Sequence, residues 1–527
     1  MDDVNICREG ALTELVSVHT VNDLLPMWNK MANPYENTIK DFQRPAVLPS
    51  IRTLLLAMLA MWALGCSTAN HEIKAPVAVP EQFSQLGVSP LPDKWWLSFE
   101  DPILNTLMDH ALAGNFTLKT AWDRLRQFQA LAEMAGADLY PALDAEAGAS
   151  GTRFREEGQT GDGRSYTLGL VASYELDLWG RIRSIRDAAI FDAAAGAEDL
   201  RTAALTLSAQ VAVTWYQLVE QHGQSDMLDE QIKTNEQVLE LVTMKFRTGQ
   251  VGIADMLQQR QLVESNRGEK VQVEAQIKVL QHQLAILLGY PPQQAVAPRV
   301  SRLLNLPPMP ETGLPAQLIR RRPDIRSAYY NVMAADKDVA AAIADRFPRL
   351  SLTAGLDTSG GHVRDLFDNW LANLAANLVA PILDGGLRKA EVDRTRAVAS
   401  EALNNYSQTI LDALVEVEDA LVREQRQRDF MVSLHKQLRL AGQVVERVRD
   451  RYVQGTVDYQ RVLDALLSQQ ELEISLLTAK LDLVEDRIDL CRSLGGGWVL
   501  TPAEPNQPDA SRTADKNAIS HDKKISG

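Results

Sequence analysis

Lys245-Phe246-Arg247-Thr248-Gly249-Gln250-Val251 returns later in the chain, altered in its letters but kept in its pattern, as Arg451-Tyr452-Val453-Gln454-Gly455-Thr456-Val457. Gly455 stands 206 residues after Gly249. The same offset carries Leu257 to Leu463, Leu176 to Ile382 and Gly180 to Gly386, and one residue more carries Pro141 to Pro348 and Leu143 to Leu350. An offset held over that distance marks an internal duplication, which constrains the fold before any local detail is read.

Working outward from the two glycines, apolar residues recur in heptads. Leu228, Ile232, Asn235, Leu239, Val242 and Phe246 form a seam that supercoils left-handedly, and its copy is Leu434, Leu438, Ala441, Val445, Val448 and Tyr452. The returning arms carry the same spacing, in Val273, Ile277, Leu280, Leu284 and Leu287 and again from Leu463 through Gln470 to Ile488. Gly249 and Gly455 therefore sit at turns between antiparallel helices, where a left-handed residue closes a helix. Arg181 to Thr248 and Leu387 to Gln454 contain no proline. Each is expected to be one helix on the order of 100 Å long at about 1.5 Å per residue.

Between the first helix and the helical hairpin of each half lie alternating segments, Ala142 to Phe154, Ser165 to Asp177, Arg349 to Thr358 and Asn369 to Leu383. Tyr166, Leu168, Leu170, Ala172 and Tyr174 take one face of the second, while Asn373, Ala375 and Asn377 oppose Ala372, Leu374, Ala376 and Leu378 in the last. Apolar outside and small or polar inside is what a membrane barrel requires, and about 9 to 11 residues suffice for a tilted strand to cross. A half-buried soluble sheet gives the same alternation. Four strands cannot enclose a water-filled lumen, since barrels of about eight are already filled by their own side chains. Several chains must then combine.

The 527 residues are 45% apolar, enough for a substantial core, and the net charge of −15 excludes a surface built to neutralise phosphates. Cys7, Cys66 and Cys491 lie far apart, with no zinc or disulfide spacing. Leu54 to Leu64 is an apolar run too short to span a bilayer but suited to an export signal. Its ending, Ala63-Leu64-Gly65-Cys66, resembles a bacterial lipobox, with Leu64 one place nearer the cysteine than is usual. Cys66 is thus expected to carry a covalent lipid and to begin the mature chain. About fifty residues precede the apolar run, and translation is expected to start later, at Met31 or Val47. The divisions read from the sequence are a leader over 1–65, a tether over 66–92, a first repeat over 93–310, a second over 311–500 and a disordered polar tail over 501–527.

Tyr174-Glu175-Leu176-Asp177-Leu178-Trp179-Gly180-Arg181, Pro381-Ile382-Leu383-Asp384-Gly385-Gly386, the two glycine turns and the closing Leu494-Gly495-Gly496-Gly497-Trp498 together resemble the TolC-like outer membrane efflux proteins, nearest their NodT and OprM type lipoprotein branch. The resemblance covers roughly Lys94 to Trp498. It implies a mainly helical homotrimer whose long hairpins form an α-barrel, with four strands per chain joining into one 12-stranded β-barrel in the outer membrane. The implied partners are a periplasmic adaptor of the membrane fusion class, an inner-membrane pump of the resistance-nodulation-division class, and outer membrane lipid. Nucleic acid is not among them.

In such channels acidic side chains converge just beyond the second glycine turn to form a periplasmic gate. The matching positions are Asp464 and Arg461, and in the first half Asp255. Arg461 departs from relatives that place an Asp there; at i, i+3 it can pair with Asp464 and cancel the charge of the ring. The alternative for each acid is a solvated helix residue. Arg247, Thr248 and Gly249, with Gln454, Gly455 and Thr456, would be the tips that meet the adaptor, or else plain helical turns. No phosphate loop, zinc-protease helix or nucleophile elbow is present, and neither enzyme chemistry, metal nor cofactor is expected beyond the lipid on Cys66. The leading function is a passive duct for small molecules. Two others stay open: the same duct serving a protein-secreting transporter, and a lipid-anchored periplasmic coiled-coil scaffold without a pore.

Overall fold

A computed structural model describes residues 76–156 and 159–495. Cys66, the leader, the last three residues of the closing motif and the tail lie outside them. In chain order the elements are α1 (Pro102–Gly114), α2 (Phe116–Ala137), β1 (Ala142–Glu156), β2 (Gln159–Leu176), α3 (Arg181–Arg247), α4 (Ile253–Leu287), α5 (Pro315–Arg321), α6 (Pro323–Ala344), β3 (Arg349–Gly360), β4 (Trp370–Val379), α7 (Leu387–Val453) and α8 (Tyr459–Ser493). The second set copies the first. α2 and α6 are both 22 residues long, α3 and α7 both 67, and α4 and α8 both 35.

Why the long helices start where they do is written in the two most specific motifs. Asp177 accepts the N–H groups of Ile182 and Arg183, each at 3.0 Å, and so caps the first turn of α3. Asp384 does the same for α7, accepting from Gly386 at 2.9 Å and Arg388 at 3.3 Å. Burial alone would raise the Asp177 pKa, but the N–H and guanidinium of Arg183 and the N–H of Ile182 outweigh it and hold the carboxyl below its usual range. The glycines between cap and helix, Gly180 and Gly386, stand at φ 78° and 89°, a left-handed region that side chains with a Cβ enter at a cost. Trp179 stitches the halves together: its indole N–H donates to Pro348 O at 2.8 Å and its ring stacks on Phe347 at 4.8 Å between centroids.

A second pair of equivalent contacts closes each half. Asn115 caps α2 by accepting the Leu118 N–H and gives its amide to Leu287 O, the last carbonyl of α4, at 2.9 Å. In the copy, Arg322 precedes α6 and donates to Ser493 O, the last carbonyl of α8, at 3.1 Å. The orphan carbonyls at the ends of both returning arms are thereby satisfied from within. The main core gathers α1, α3 and α4 around Trp95, Trp96 and Trp215. Both Trp95 and Trp215 spend their N–H groups, on Ser208 Oγ at 3.0 Å and Asp101 Oδ2 at 2.9 Å. Beside it Arg487 of α8 is buried against Glu424 of α7 at 2.6 Å and also donates to the Pro307 and Pro308 carbonyls at 3.0 and 3.1 Å.

The strands form one antiparallel sheet in the order β1-β2-β3-β4. The register aligns Leu170 with Leu356 and Leu356 with Ala372, and Ala354 with Leu374, so one face is apolar over most of its length, with Thr358 and, toward the β1–β2 turn, Arg153, Asp162 and Arg164 among its polar members. That face is exposed, at Leu168, Leu170, Leu356, Trp370, Leu374 and Leu378. The fourth strand is shorter than the sequence suggests: the alternation reads on to Leu383, whereas β4 ends at Val379. Pro381, which has no N–H to give to a ladder, lies just beyond it. Among the described residues β1 and β4 are free edges, and no helix is long and apolar enough to cross a membrane.

Candidate functional site

Both glycine turns close their helices in one way. Gly249 at φ 71° gives its N–H to Phe246 O while Gln250 N–H reaches back to Lys245 O at 2.8 Å. Gly455 at φ 72° bonds to Tyr452 O, and Thr456 N–H to Arg451 O at 2.9 Å, which makes both turns Schellman closures. A Cβ at either glycine would meet no atom within 4 Å, so backbone conformation rather than space selects the residue. Thr248 and Thr456 turn their hydroxyls inward onto helix carbonyls, at 2.9 Å to Lys245 O and 3.0 Å to Arg451 O. Arg247 and Gln454 stay exposed at the two tips.

The acids near the tips differ from one another. Asp255 sits in the first turn of α4 and accepts the Gly252 N–H at 3.3 Å, which is the returning half of a capping box, since Gly252 has no side chain to supply the other. Asp464 is exposed on α8, where the Gln460 amide donates to it at 2.8 Å. The Arg461–Asp464 pair that their spacing allows is not made. Gln460, one position further back, occupies the carboxylate, and the exposed Arg461 has no ion pair among the described residues.

Between the tips lies a set of buried polar residues that the reading of gate positions missed. Gln259 of α4, fully buried, accepts the Tyr459 hydroxyl of α8 and gives its own amide to Asn235 O of α3 at 2.7 Å. Asn235 and Gln470 exchange amide hydrogen bonds at 3.4 and 3.5 Å. Tyr452 packs edge-on against Tyr459, and the Lys245 ammonium lies 3.9 Å from the Tyr452 ring centre and donates to its carbonyl at 3.3 Å. Burial first, then Tyr452 and Asp255, push the Tyr459 hydroxyl well above its usual pKa, so it stays a donor. The two hairpins are thus stitched to each other near their tips. Asn235 and Gln470 were visible as polar interruptions of the two apolar seams; that they face each other was not.

Further along α8 is a seam of carboxylates. Glu220 of α3 and Asp482, Glu485 and Asp486 of α8 all have pKa values raised, in each case chiefly by burial, and Asp486 is pushed up to about 6. Gln221, Gln427 and Gln217 donate to the first three, and Arg423 stands 3.8 Å from Asp486. Among the described residues no group of three or more histidines, cysteines or carboxylates could hold a metal ion.

With this geometry in place, comparison with known proteins gives a consistent result. The sequence profile of the outer membrane efflux protein family matches twice, over residues 107–290 and 314–496. The pyoverdine export outer membrane protein OpmQ of Pseudomonas aeruginosa is 33% identical over 472 residues, covering 85% of this chain and 98% of its own. The cation efflux system protein CusC of Escherichia coli is 29% identical over 458 residues, covering 84% and 98%. Among solved structures, a CusC chain superposes with a TM-score of 0.76 at 28% identity, over 82% of this chain and all of that one. The open-state outer membrane channel MtrE of Neisseria gonorrhoeae gives 0.74 at 26% identity, over 84% of this chain and again the whole of its own.

Proposed function

Because the chain belongs to the outer membrane efflux protein family, we propose that three copies close their sheets into one 12-stranded barrel and their helical hairpins into a duct beneath it. The chain is an outer membrane efflux channel subunit, and we extend the proposal to its trimer, anchor, gate and partners. The observation that carries it is the four-stranded sheet with two free edges and an exposed apolar face. An exposed edge and an apolar face are both liabilities in water, and neighbouring copies in a lipid bilayer remove both. β4 of one copy would pair with β1 of the next.

In this reading a lipid on Cys66 holds the protein at the membrane, and the tips at Gly249 and Gly455 meet a periplasmic adaptor that links the duct to an inner-membrane pump of the resistance-nodulation-division class. Asp464 and Arg461, exposed on the single chain and not paired with each other, are the groups that three-fold symmetry would bring together at the inner end. Three like charges brought close repel, so small helix movements open such a ring. The stitch of Tyr459, Gln259, Asn235 and Gln470 holds the two hairpins together against that opening. The relatives carry the names of pyoverdine export and cation efflux, which supports a passive small-molecule duct whose cargo is chosen upstream.

Purified protein in a planar bilayer tests the reading. Trimers with discrete conductance steps are expected. A monomer in detergent, or a trimer that conducts nothing, would leave only a coiled-coil scaffold.

A further inference from the structure

On the face of the sheet opposite the exposed leucines, three cross-strand pairs share an arrangement. Gly148 is paired with Thr167, Gly169 with Asp357 and Gly355 with Asn373, one for each neighbouring pair of strands. In every case the polar side chain lies down over the glycine. A Cβ built on Gly148 would stand 2.6 Å from Thr167 Oγ1, on Gly169 2.5 Å from Asp357 Oδ1, and on Gly355 2.7 Å from Asn373 Oδ1. All three side chains lean the same way, each toward the strand before its own, and all six residues lie near the middle of their strands. Real Cβ contacts are never that short, so any other residue at these glycines would lift the side chain off the wall.

Charge adds a second observation on the same face. Asp357 makes no hydrogen bond or ion pair among the described residues. Arg349, at the helix-side end of this face, is neutralised by Asp345, and Glu175 by Arg181 at 2.9 Å. Asp357 therefore stands in the middle of the face with its charge uncompensated. Asp144 and Glu146 of β1, on the same face and likewise unpaired among the described residues, stand with it, Glu146 in one row with Gly169 and Asp357.

We propose that Gly148, Gly169 and Gly355 are notches that set the bore of the strand barrel by letting Thr167, Asp357 and Asn373 lie along its wall, and that Asp357, held there, biases passage toward cations. The inference rests on the trimeric-barrel reading, in which this face lines the lumen and each notch occurs three times around it. Low-dielectric walls focus the field of such a ring, and a ring of carboxylates favours cation entry. The bore would then be governed by what the glycines lack.

Bilayer recording with nonelectrolyte polymers added from the barrel side measures that bore separately from the gate at the other end. Gly169→Val, and to a lesser extent Gly169→Ala, should lower conductance and exclude polymers that the unaltered channel admits. Gly169→Val combined with Asp357→Ala should recover both, because no side chain remains to be displaced. Asp357→Asn should leave the polymer cut-off in place and shift the reversal potential in a salt gradient part of the way toward that of an unselective pore, with Asp144 and Glu146 keeping their share. Gly169→Ala and Asp357→Asn, which change little volume, keep the test alive if Gly169→Val does not assemble. A conducting unaltered channel whose Gly169 variants keep their cut-off, or whose Asp357→Asn variant keeps its reversal potential, overturns this inference alone. An unaltered protein that forms no channel overturns the trimeric reading and this one with it.

Discussion

A single hydroxyl tests the stitch between the hairpins. Tyr459→Phe keeps the ring against Tyr452 but leaves the buried Gln259 carbonyl without its donor, at a cost of about 1–3 kcal/mol. A lower melting temperature and more frequent channel openings in bilayers are expected; unchanged gating would assign the contact to stability alone. At Gly455, φ 72° makes a β-branched residue costly by about 1–2 kcal/mol, while Asn enters that region readily. Gly455→Val should thus lower trimer yield and Gly455→Asn should not, as read on a native gel. Asp464→Ala should raise conductance or leak, and a channel indifferent to it would remove Asp464 from the gate. At this scale the sequence is legible only in part. The glycines announce their turns by spacing, and the polar places in the seams announce that something breaks the apolar rule. Gln259 and Tyr459 carry no such signal, because their meeting depends on how one hairpin packs on the other. Asp255 was read as a gate acid on its distance from Gly249, whereas its carboxylate is engaged locally in starting α4.

Among elements, α7 and α8 are joined by Glu424 and Arg487, each almost fully buried. Arg487→Met leaves the buried Glu424 carboxylate with only Arg428, 2.8 Å away, and should cost about 1–3 kcal/mol, while the double change to apolar residues of similar volume should cost less. Thermal unfolding of the two variants side by side distinguishes these outcomes. The carboxylate seam between α3 and α8 gives a pH dependence of definite sign. Glu220, Asp482, Glu485 and Asp486 have folded-state pKa values above their unfolded ones, so their charged forms weaken the fold at neutral pH and protonation relieves this as pH falls through the folded values, about 6 for Asp486, toward the ordinary carboxylate range. Glu424 and Asp177 are lowered, and their contribution persists until the pH drops below the ordinary carboxylate range. The buried His222, its pKa lowered by burial, acts in the opposite sense over the same interval, so the seam is read by comparison. The gain in melting temperature from about pH 8 to about pH 5.5 should be smaller in Asp486→Asn than in the unaltered detergent-solubilised protein, and an equal response would contradict the burial of the seam. Element bounds themselves were largely readable, since unbroken heptads and missing prolines define helices of this length without ambiguity. β4 was overdrawn because alternation continues past the point where Pro381 leaves the ladder.

For the whole molecule, membrane attachment has two sources in the proposed reading, a lipid and a barrel, and they are separable. Cys66→Ser should abolish palmitate labelling while leaving the barrel able to insert, so fractionation should still find the protein with the outer membrane, in reduced amount. Complete release to the soluble fraction would mean that the lipid alone holds it there. The proposed joining of several chains rests on arithmetic on strands together with the free edges of the sheet; which residues would meet across the join is not written in one chain. The matched lengths of α3 with α7 and of α4 with α8 carry a further consequence, for how such a chain can change over evolutionary time. A short insertion in one arm would rotate its seam off the neighbour, and even a full heptad would push one tip about 10 Å past the other. Lengthening can survive only as whole heptads added to all four arms together, so lineages should differ here in steps of the entire molecule or not at all.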